Sequence, residues 1–596
     1  MGYMVHGIFT HWENIMRDKY VKQLLKIMLT LLLIGGVMNL SNTEIYADEL
    51  LMTEPILQNP DESSVIVQWF TEGECENNRV LVYGNGTTRR PTQIIQAETT
   101  KLSRVRGGKT DGDCNNASIT QDIYKHVAKV DGLPRNTGKE TDRIPYMVKS
   151  GTRKSGIYTL AANPTKGTDV KILLTSDLQS KDMCAANIEK VYETVGRVDA
   201  VWLDGDIVDV TDRAYDWFYA DNAFFRVMTG TADDKVGGKT YQGAPLLQYA
   251  PIYTSIGNHD VMGVYSETGD LSVQFNSPIP RDVARKRLKA KGIEDAQSIA
   301  DASYNTITYE EMFELPTSKD GGEKWYAKSI GDIRLVSLEA ARVWKLPNLG
   351  MIGKFTEWPG ATEEMRGYGD FIFESLAADS DQIRFLKSEL NSDEYQDAKF
   401  KVVMFHEETH SLGGNKIPPF TDPVEGKVTD PVTGLQMITY DYPKDKDYLE
   451  TVVEPLVEKA GTNLIFNAHS HLWNRFQTKS GMNILETSNV GNNYGAYYDG
   501  KKRDQYPSAL KSGDTYSGIA NAWNKSNYIT SGDPNGLEPV EPNKADLPGG
   551  KSYLASNTVT AFSILDTKKG TVDSYYFDTA KPDSQVVLFD SFKVVK

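Results

Sequence analysis

Residues able to bind a metal recur at five places, each just past an apolar run. "VKILLTSDLQ" ends in Asp177 and Gln179, "AVWLDGDIVD" in Asp206 and Asp209, and "PIYTSIGNHD" in Asn258 and His259. "KFKVVMFHEETH" carries His406 and His410, and "NLIFNAHSHLW" carries His469 and His471. Five of the eight histidines in 596 residues fall at these positions. Asp, Asn, Gln and His together are donors for hard-to-borderline divalent ions. On extended backbone, His469 and His471 point to the same side, so each can serve one of two adjacent ions. A carboxylate placed between two cations offsets their repulsion. A lone Asp or His past a strand is more often a cap or a loop hydrogen-bonder. Five such sites in one order point instead to a metal centre.

The elements that must position these residues are also legible. From Val170 onward, apolar runs alternate with segments of helical spacing, "MCAANIEKVYETVG", "DSDQIRFLKSEL" and "YLETVVEPLVEKAG". That alternation predicts an α/β fold in which helices cover sheets. Ligands of such folds sit at the carboxyl ends of strands, where the polar blocks lie. "TVTAFSILD" and "TVDSYYFD" are expected to finish a sheet. Before Val170 the pattern is all-β. "SSVIVQWF" alternates Val65, Val67 and Trp69 on one face, and further short strands follow between Gly, Asn and Pro breaks. "VRGGKTDGDCNNAS" is expected to be a long loop.

The blocks "SDLQ", "GDIVD", "GNHD", "MFHEETH" and "NAHSH" resemble those of the calcineurin-like metallophosphoesterases, in order and in spacing. The family reads D-x-H, G-D-x-x-D, G-N-H-[DE], a lone His and G-H-x-H. The resemblance covers about residues 170–490 and implies a four-layer αββα sandwich holding two metal ions, Fe, Mn or Zn. Carried over, one ion takes Asp177, Gln179, Asp206 and His471. The other takes Asp206, Asn258, His406 and His469, with Asp206 bridging. His259 is then no ligand: it faces the phosphate and its leaving group, with Asn258 beside it. Apart from the resemblance, His410 lies four residues past His406 and is a candidate either to touch substrate or to hydrogen-bond a metal ligand. Gln179 stands where the family usually has His, and Ala468 replaces the Gly of the last block. The preceding β segment resembles the fibronectin-type N-terminal domain of purple acid phosphatases. Asp209, however, stands where those enzymes have the tyrosine that gives their colour.

The activity so implied is hydrolysis of phosphate monoesters, of the acid phosphatase type, by a hydroxide generated between the two ions. A phosphodiesterase acting on nucleotides is the alternative among enzymes. A phosphate- or glycan-binding surface protein without turnover is the alternative in another class. The net charge of −16 argues against nucleic acid as a partner, and a small phosphate ester is expected.

Residues 1–47 read as a signal peptide: Arg17, Lys19, Lys22 and Lys26, then the apolar "IMLTLLLIGGVM", then small Ala47. The apolar run is short for a membrane span, which needs about 20 residues, so a secreted protein is expected. The domains expected are then 48–165 (β sandwich) and 166–596 (catalytic), the latter with a Tyr/Gly-rich insertion at about 494–553. Tyr497, Tyr498 and Lys501 of that insertion are candidates for the alcohol part of a substrate, although a plain surface loop is the simpler reading. Cys75 and Cys114 can pair or remain free, and Cys184 is expected inside a helix.

Overall fold

Each apolar run that ends in a polar block forms a strand. Lys171–Thr175, Ala200–Leu203 and Ile252–Thr254 pair in parallel, with Leu173 opposite Val201 and Trp202 opposite Tyr253. Their near-continuous apolar sequence suits strands covered on both faces. Val559–Asp566, Thr571–Asp578 and Val587–Lys593 extend this sheet antiparallel to six strands. A second sheet has seven strands. Its centre is Ile333–Ser337, Phe400–Met404, Leu464–Asn467 and Asn483–Thr487, all parallel.

The two sheets share a core. Ile172, Leu174, Val201 and Phe562 of the first join Leu335, Val402, Phe466 and Leu485 of the second. The next residues along the second sheet, Val336, Val403, Ile465 and Ile484, enter a different core. There they meet Ile383, Leu386 and Leu390 of helix Asp381–Leu390, whose N-cap Ser380 accepts from the amide of Ile383. Helix Cys184–Val195 covers the first sheet with Ile188 and Val191, and Cys184 is buried in it as expected. The order helix, sheet, sheet, helix is the expected four-layer sandwich.

The all-β region precedes it as two five-stranded sheets within residues 50–160. Val65, Val67 and Trp69 fill its core with Val80, Val130 and Val148. The opposite face of the same strand turns toward the catalytic layers. Phe70 belongs to their core, and Gln68 Nε2 donates to the carbonyl of Met312 at 2.7 Å. The long loop expected near Gly107 runs from Lys101 to Ile123. Cys75, Cys114 and Cys184 are all buried and stand outside any disulfide, so the Cys75–Cys114 alternative resolves to thiols.

This computed structural model describes residues 50–84, 90–344, 352–358, 360–429, 434–490, 493, 495–503, 529–549 and 552–595. The signal peptide expected at 1–47 and the centre of the insertion lie outside these residues. Among them, no helix is long and apolar enough to cross a membrane.

Candidate metal centre

Asp177, Asp206, Asn258, His406, His469 and His471 all lie in the loops just past the strands ending at Thr175, Leu203, Thr254, Met404 and Asn467, and the two-sheet core brings them together. Asp206, His406 and His469 offer ligand atoms within 4.8 Å of one another, and so do Asp177, Asp206 and His471. Asp206 is common to both groups. His406 Nε2 lies 3.3 Å from Asp206 Oδ1, and His471 Nε2 lies 3.1 Å from Asp177 Oδ1. The rings of His406 and His469 have centroids 5.0 Å apart.

The backbone at this cluster is unusual. Asp177, Gln179, Asp206, His469 and His471 all have positive φ, between +43° and +74°. Such left-handed conformations cost energy outside glycine and gather at functional sites. The expectation that extended backbone aligns the two histidines is corrected here. The strand ends at Asn467, and His469 and His471 are presented from tight left-handed turns instead. Two glycines permit the close approach. A Cβ on Gly257 would meet Asp206 Oδ1 at 2.3 Å, and one on Gly205 would meet the Gly257 amide nitrogen at 2.6 Å.

Second partners fix the donors. His406 Nδ1 donates to the carbonyl of Asp204 at 2.6 Å, which turns its Nε2 toward Asp206. Ser176 donates to Asp177 Oδ2 at 2.6 Å. Asp260 accepts from the amides of Asp206, Gly257 and Ile207 at 2.8, 2.9 and 3.1 Å, tying two of the polar loops together. Glu407 lies 3.6 Å from His469 Nε2 and is itself held by buried Arg342 at 3.1 Å. Asp260 is the last residue of "GNHD" and Asp204 opens "DGD", so both lie inside blocks visible in the sequence. Nothing near Arg342 in the chain announces its pairing with Glu407.

Charge is strongly polarised within the cluster. Burial opposes ionisation of Asp206, but His406, His259 and His469 outweigh it and hold the carboxyl well below its usual range. Burial also opposes charge on His406, yet Asp206 and Asp177 lift its pKa well above the ordinary value. His469 goes the other way: burial, and then the charge on His406, push it well down. These shifts share one direction of cause: the buried carboxylates favour positive charge at His406, which a bound cation would supply in place of a proton.

The donor set fits a metal by a further observation. Asp177 Oδ1, Asn258 Oδ1, His406 Nε2 and His469 Nδ1 are buried without a hydrogen-bond partner. Buried polar atoms are normally satisfied. Four ligand-type atoms left open in one cluster are what a cation site requires.

The remaining expected residues take other places. Gln179 enters through Asp206, donating from Nε2 to Oδ2 at 2.7 Å. Asp209 points away, paired with Arg213 at 2.8 Å and Lys181 at 3.3 Å. His259 borders the cluster: its amide donates to Asp206 Oδ1 at 2.8 Å and its Nδ1 to the carbonyl of Asp209 at 2.6 Å. His410 does not present a free nitrogen to a substrate. Nδ1 is 2.6 Å from Asp533 and Nε2 is 2.9 Å from Glu454, and the side chain is buried. Tyr497 packs under Arg503, Tyr498 bonds Glu538, and Lys501 lies over Tyr553, so all three serve the insertion itself.

A two-sheet sandwich with an Asp, Asn and His cluster at its strand ends defines a metal-dependent hydrolase of phosphoric esters. The profile of the calcineurin-like phosphoesterases matches residues 170–472, just over half of the chain. The chain belongs to the calcineurin-like phosphoesterase family. Among solved structures, the purple acid phosphatase PPD1 from yellow lupin (Lupinus luteus) seeds aligns with 13% identity and a TM-score of 0.49, covering 90% of this chain and 73% of that one. A structure of PhoD aligns with 11% identity and a TM-score of 0.43, covering 92% of this chain and 90% of that one. No curated protein matches significantly by sequence.

Proposed function

We propose that the protein is a secreted phosphomonoesterase whose centre takes two divalent or trivalent ions, with Asp206 between them. The observation that carries this reading is the membership of Asp206 in both ligand groups. Asp177, Gln179 and His471 complete one position, and Asn258, His406 and His469 the other. Ions held there supply Lewis-acid polarisation of a phosphoryl group and a lowered pKa for water. Two such ions held by only two carboxylates, Asp177 and Asp206, leave excess positive charge. That suits the dianion of a monoester better than the monoanion of a diester.

The chain's own residues supply position and protons. His259 Nδ1 is committed to the Asp209 carbonyl, so Nε2 is the nitrogen left to meet a substrate. The ring is fixed by Phe275, with centroids 4.9 Å apart. The Asp209 carboxylate lies 4.0 Å from Nδ1. Burial opposes its charge, but His259, Lys181 and Arg213 together hold its pKa below the usual value. An ionised Asp209 offsets charge on the ring when both nitrogens carry protons. Nε2–H then donates to the phosphate or to the leaving alkoxide. Secretion is supported by the basic flank and apolar run before Ala47. A fibronectin-type domain at 48–165 is supported by its paired β sheets.

The test compares p-nitrophenyl phosphate with its bis-ester, with Mn, Fe or Zn added. Preferred turnover of the monoester is expected. Preferred turnover of the bis-ester replaces the reading with a phosphodiesterase. Binding of phosphate with neither ester hydrolysed replaces it with a non-catalytic binder.

A further inference from the structure

A cavity of about 540 Å³ is lined by Gln179, which donates to Asp206 at 2.7 Å, and by Asp209, whose carbonyl accepts from His259 at 2.6 Å. Part of the opposite wall comes from the N-terminal β region. Its long loop between Lys101 and Ile123 leaves the sandwich and lies along the catalytic layers. Arg106 exchanges backbone hydrogen bonds with Asp212 and Ala214 at 2.8 Å each, and its guanidinium pairs with Asp212 at 3.2 Å. Further along, the Asn115 carbonyl accepts from the amide of Leu271 at 2.8 Å, and the amide of Ala117 donates to Gly269 at 2.9 Å.

Two lines of contact run from this loop to His259. Asn115 Oδ1 accepts from Arg213 Nη1 at 3.0 Å, Arg213 holds Asp209 at 2.8 Å, and Asp209 accepts from His259. Ala117 packs in a small core with Phe275, and Phe275 lies against the ring of His259. A loop fixed this firmly at the residue that meets the leaving group is placed to choose which leaving groups fit.

The lining also says what would fit. Apart from Cys114, Tyr215 and Ala220 it is polar. Its two cations are already committed, Lys181 to Asp209 and Arg213 to Asp209 and Asp216. The excess charge is negative and lies at the exposed Asp111 and Asp182. A wall of this kind offers hydrogen bonds but repels a second anion.

We propose that the loop of the N-terminal β region completes a leaving-group subsite of the phosphoesterase. The subsite takes a polar alcohol without negative charge, and best of all a cationic amino alcohol. The proposal rests on the phosphomonoesterase reading and deepens it by naming the substrate class.

The experiment measures kcat/KM of the full metal-loaded chain on four monoesters. Methyl phosphate has a leaving group too small to enter the cavity. Phosphocholine, glycerol 2-phosphate and fructose 1,6-bisphosphate carry cationic, neutral and anionic leaving groups. The wild type should prefer phosphocholine and glycerol 2-phosphate to the bisphosphate. Asp111→Lys with Asp182→Lys reverses the excess charge. It should shift the phosphocholine to bisphosphate ratio by about tenfold toward the bisphosphate while sparing methyl phosphate. Asn115→Ala keeps the charge and loosens the wall, so it should raise KM for glycerol 2-phosphate more than it raises KM for methyl phosphate. An unchanged ratio in the double variant overturns the subsite, as does an equal fall on all four esters. Absence of turnover of all four monoesters in the wild type overturns the phosphomonoesterase reading and the subsite with it.

Discussion

Gln179 donates a hydrogen bond from Nε2 to Oδ2 of Asp206 at 2.7 Å, in the position where the family usually has a histidine. A half turn of the amide presents Oε1 to the centre in place of Nε2. An amide oxygen is neutral and a weaker donor to borderline metals than imidazole. The position holding Asp177, Gln179 and His471 should therefore be the weaker of the two. Gln179→His should tighten one of two binding events by about 10- to 100-fold, and Gln179→Ala should weaken the same event. Calorimetric metal titration of the three proteins checks this. Equal titrations would show that Gln179 is no ligand. With Asp209 tied to Arg213 and Lys181, water would then be the remaining donor.

His259→Ala should lower kcat by about 10²- to 10⁴-fold, the usual range for a general acid or base. Metal content should be unchanged, because it is the backbone amide of His259 that bonds Asp206, and the side chain's Nδ1 bonds the carbonyl of Asp209, which is no ligand. Metal analysis beside kinetics decides the matter. A parallel loss of metal would make His259 a ligand.

The strand ends were legible in the sequence because metal chemistry restricts residue type and the fold restricts where those types appear. Asp177, Asp206, Asn258, His406, His469 and His471 could be named for that reason. The same logic misjudged how His469 and His471 face together, since periodicity along a strand does not reveal left-handed turns. Contacts far apart in the chain left no local trace. The pairing of Asn115 with Arg213 joins residues 98 positions apart, and Arg342 meets Glu407 across 65. The span "VRGGKTDGDCNNAS" reads as a loop, but nothing in it shows that it crosses to the catalytic layers. His410 illustrates a different limit. Its spacing from His406 suggested a role at the site, whereas its partners Asp533 and Glu454 come from remote segments.

That His410 ion cluster gives stability a pH dependence. Burial opposes its charge, but Asp533 and Glu454 raise its pKa from the ordinary 6.5 to about 9. A folded-state value above the unfolded one stabilises the fold when the ring is protonated in both states. The contribution is therefore complete below about 6.5 and is lost as the pH rises through about 9. Its size is about 3 kcal/mol. Urea unfolding of wild type and His410→Gln should show a gap that is largest near pH 6 and shrinks toward about pH 10. A gap independent of pH contradicts the assignment.

The central claim is that Asp206 is shared by two metal positions, and elemental analysis of Asp206→Asn tests it most directly. Purified wild type reconstituted with Mn, Fe or Zn should hold two ions per chain and hydrolyse p-nitrophenyl phosphate. Asp206→Asn removes the charge placed between the ions, and it should lose metal and turnover together while keeping its fold by circular dichroism. A folded Asp206→Asn protein that retains two ions per chain and wild-type turnover would contradict the account.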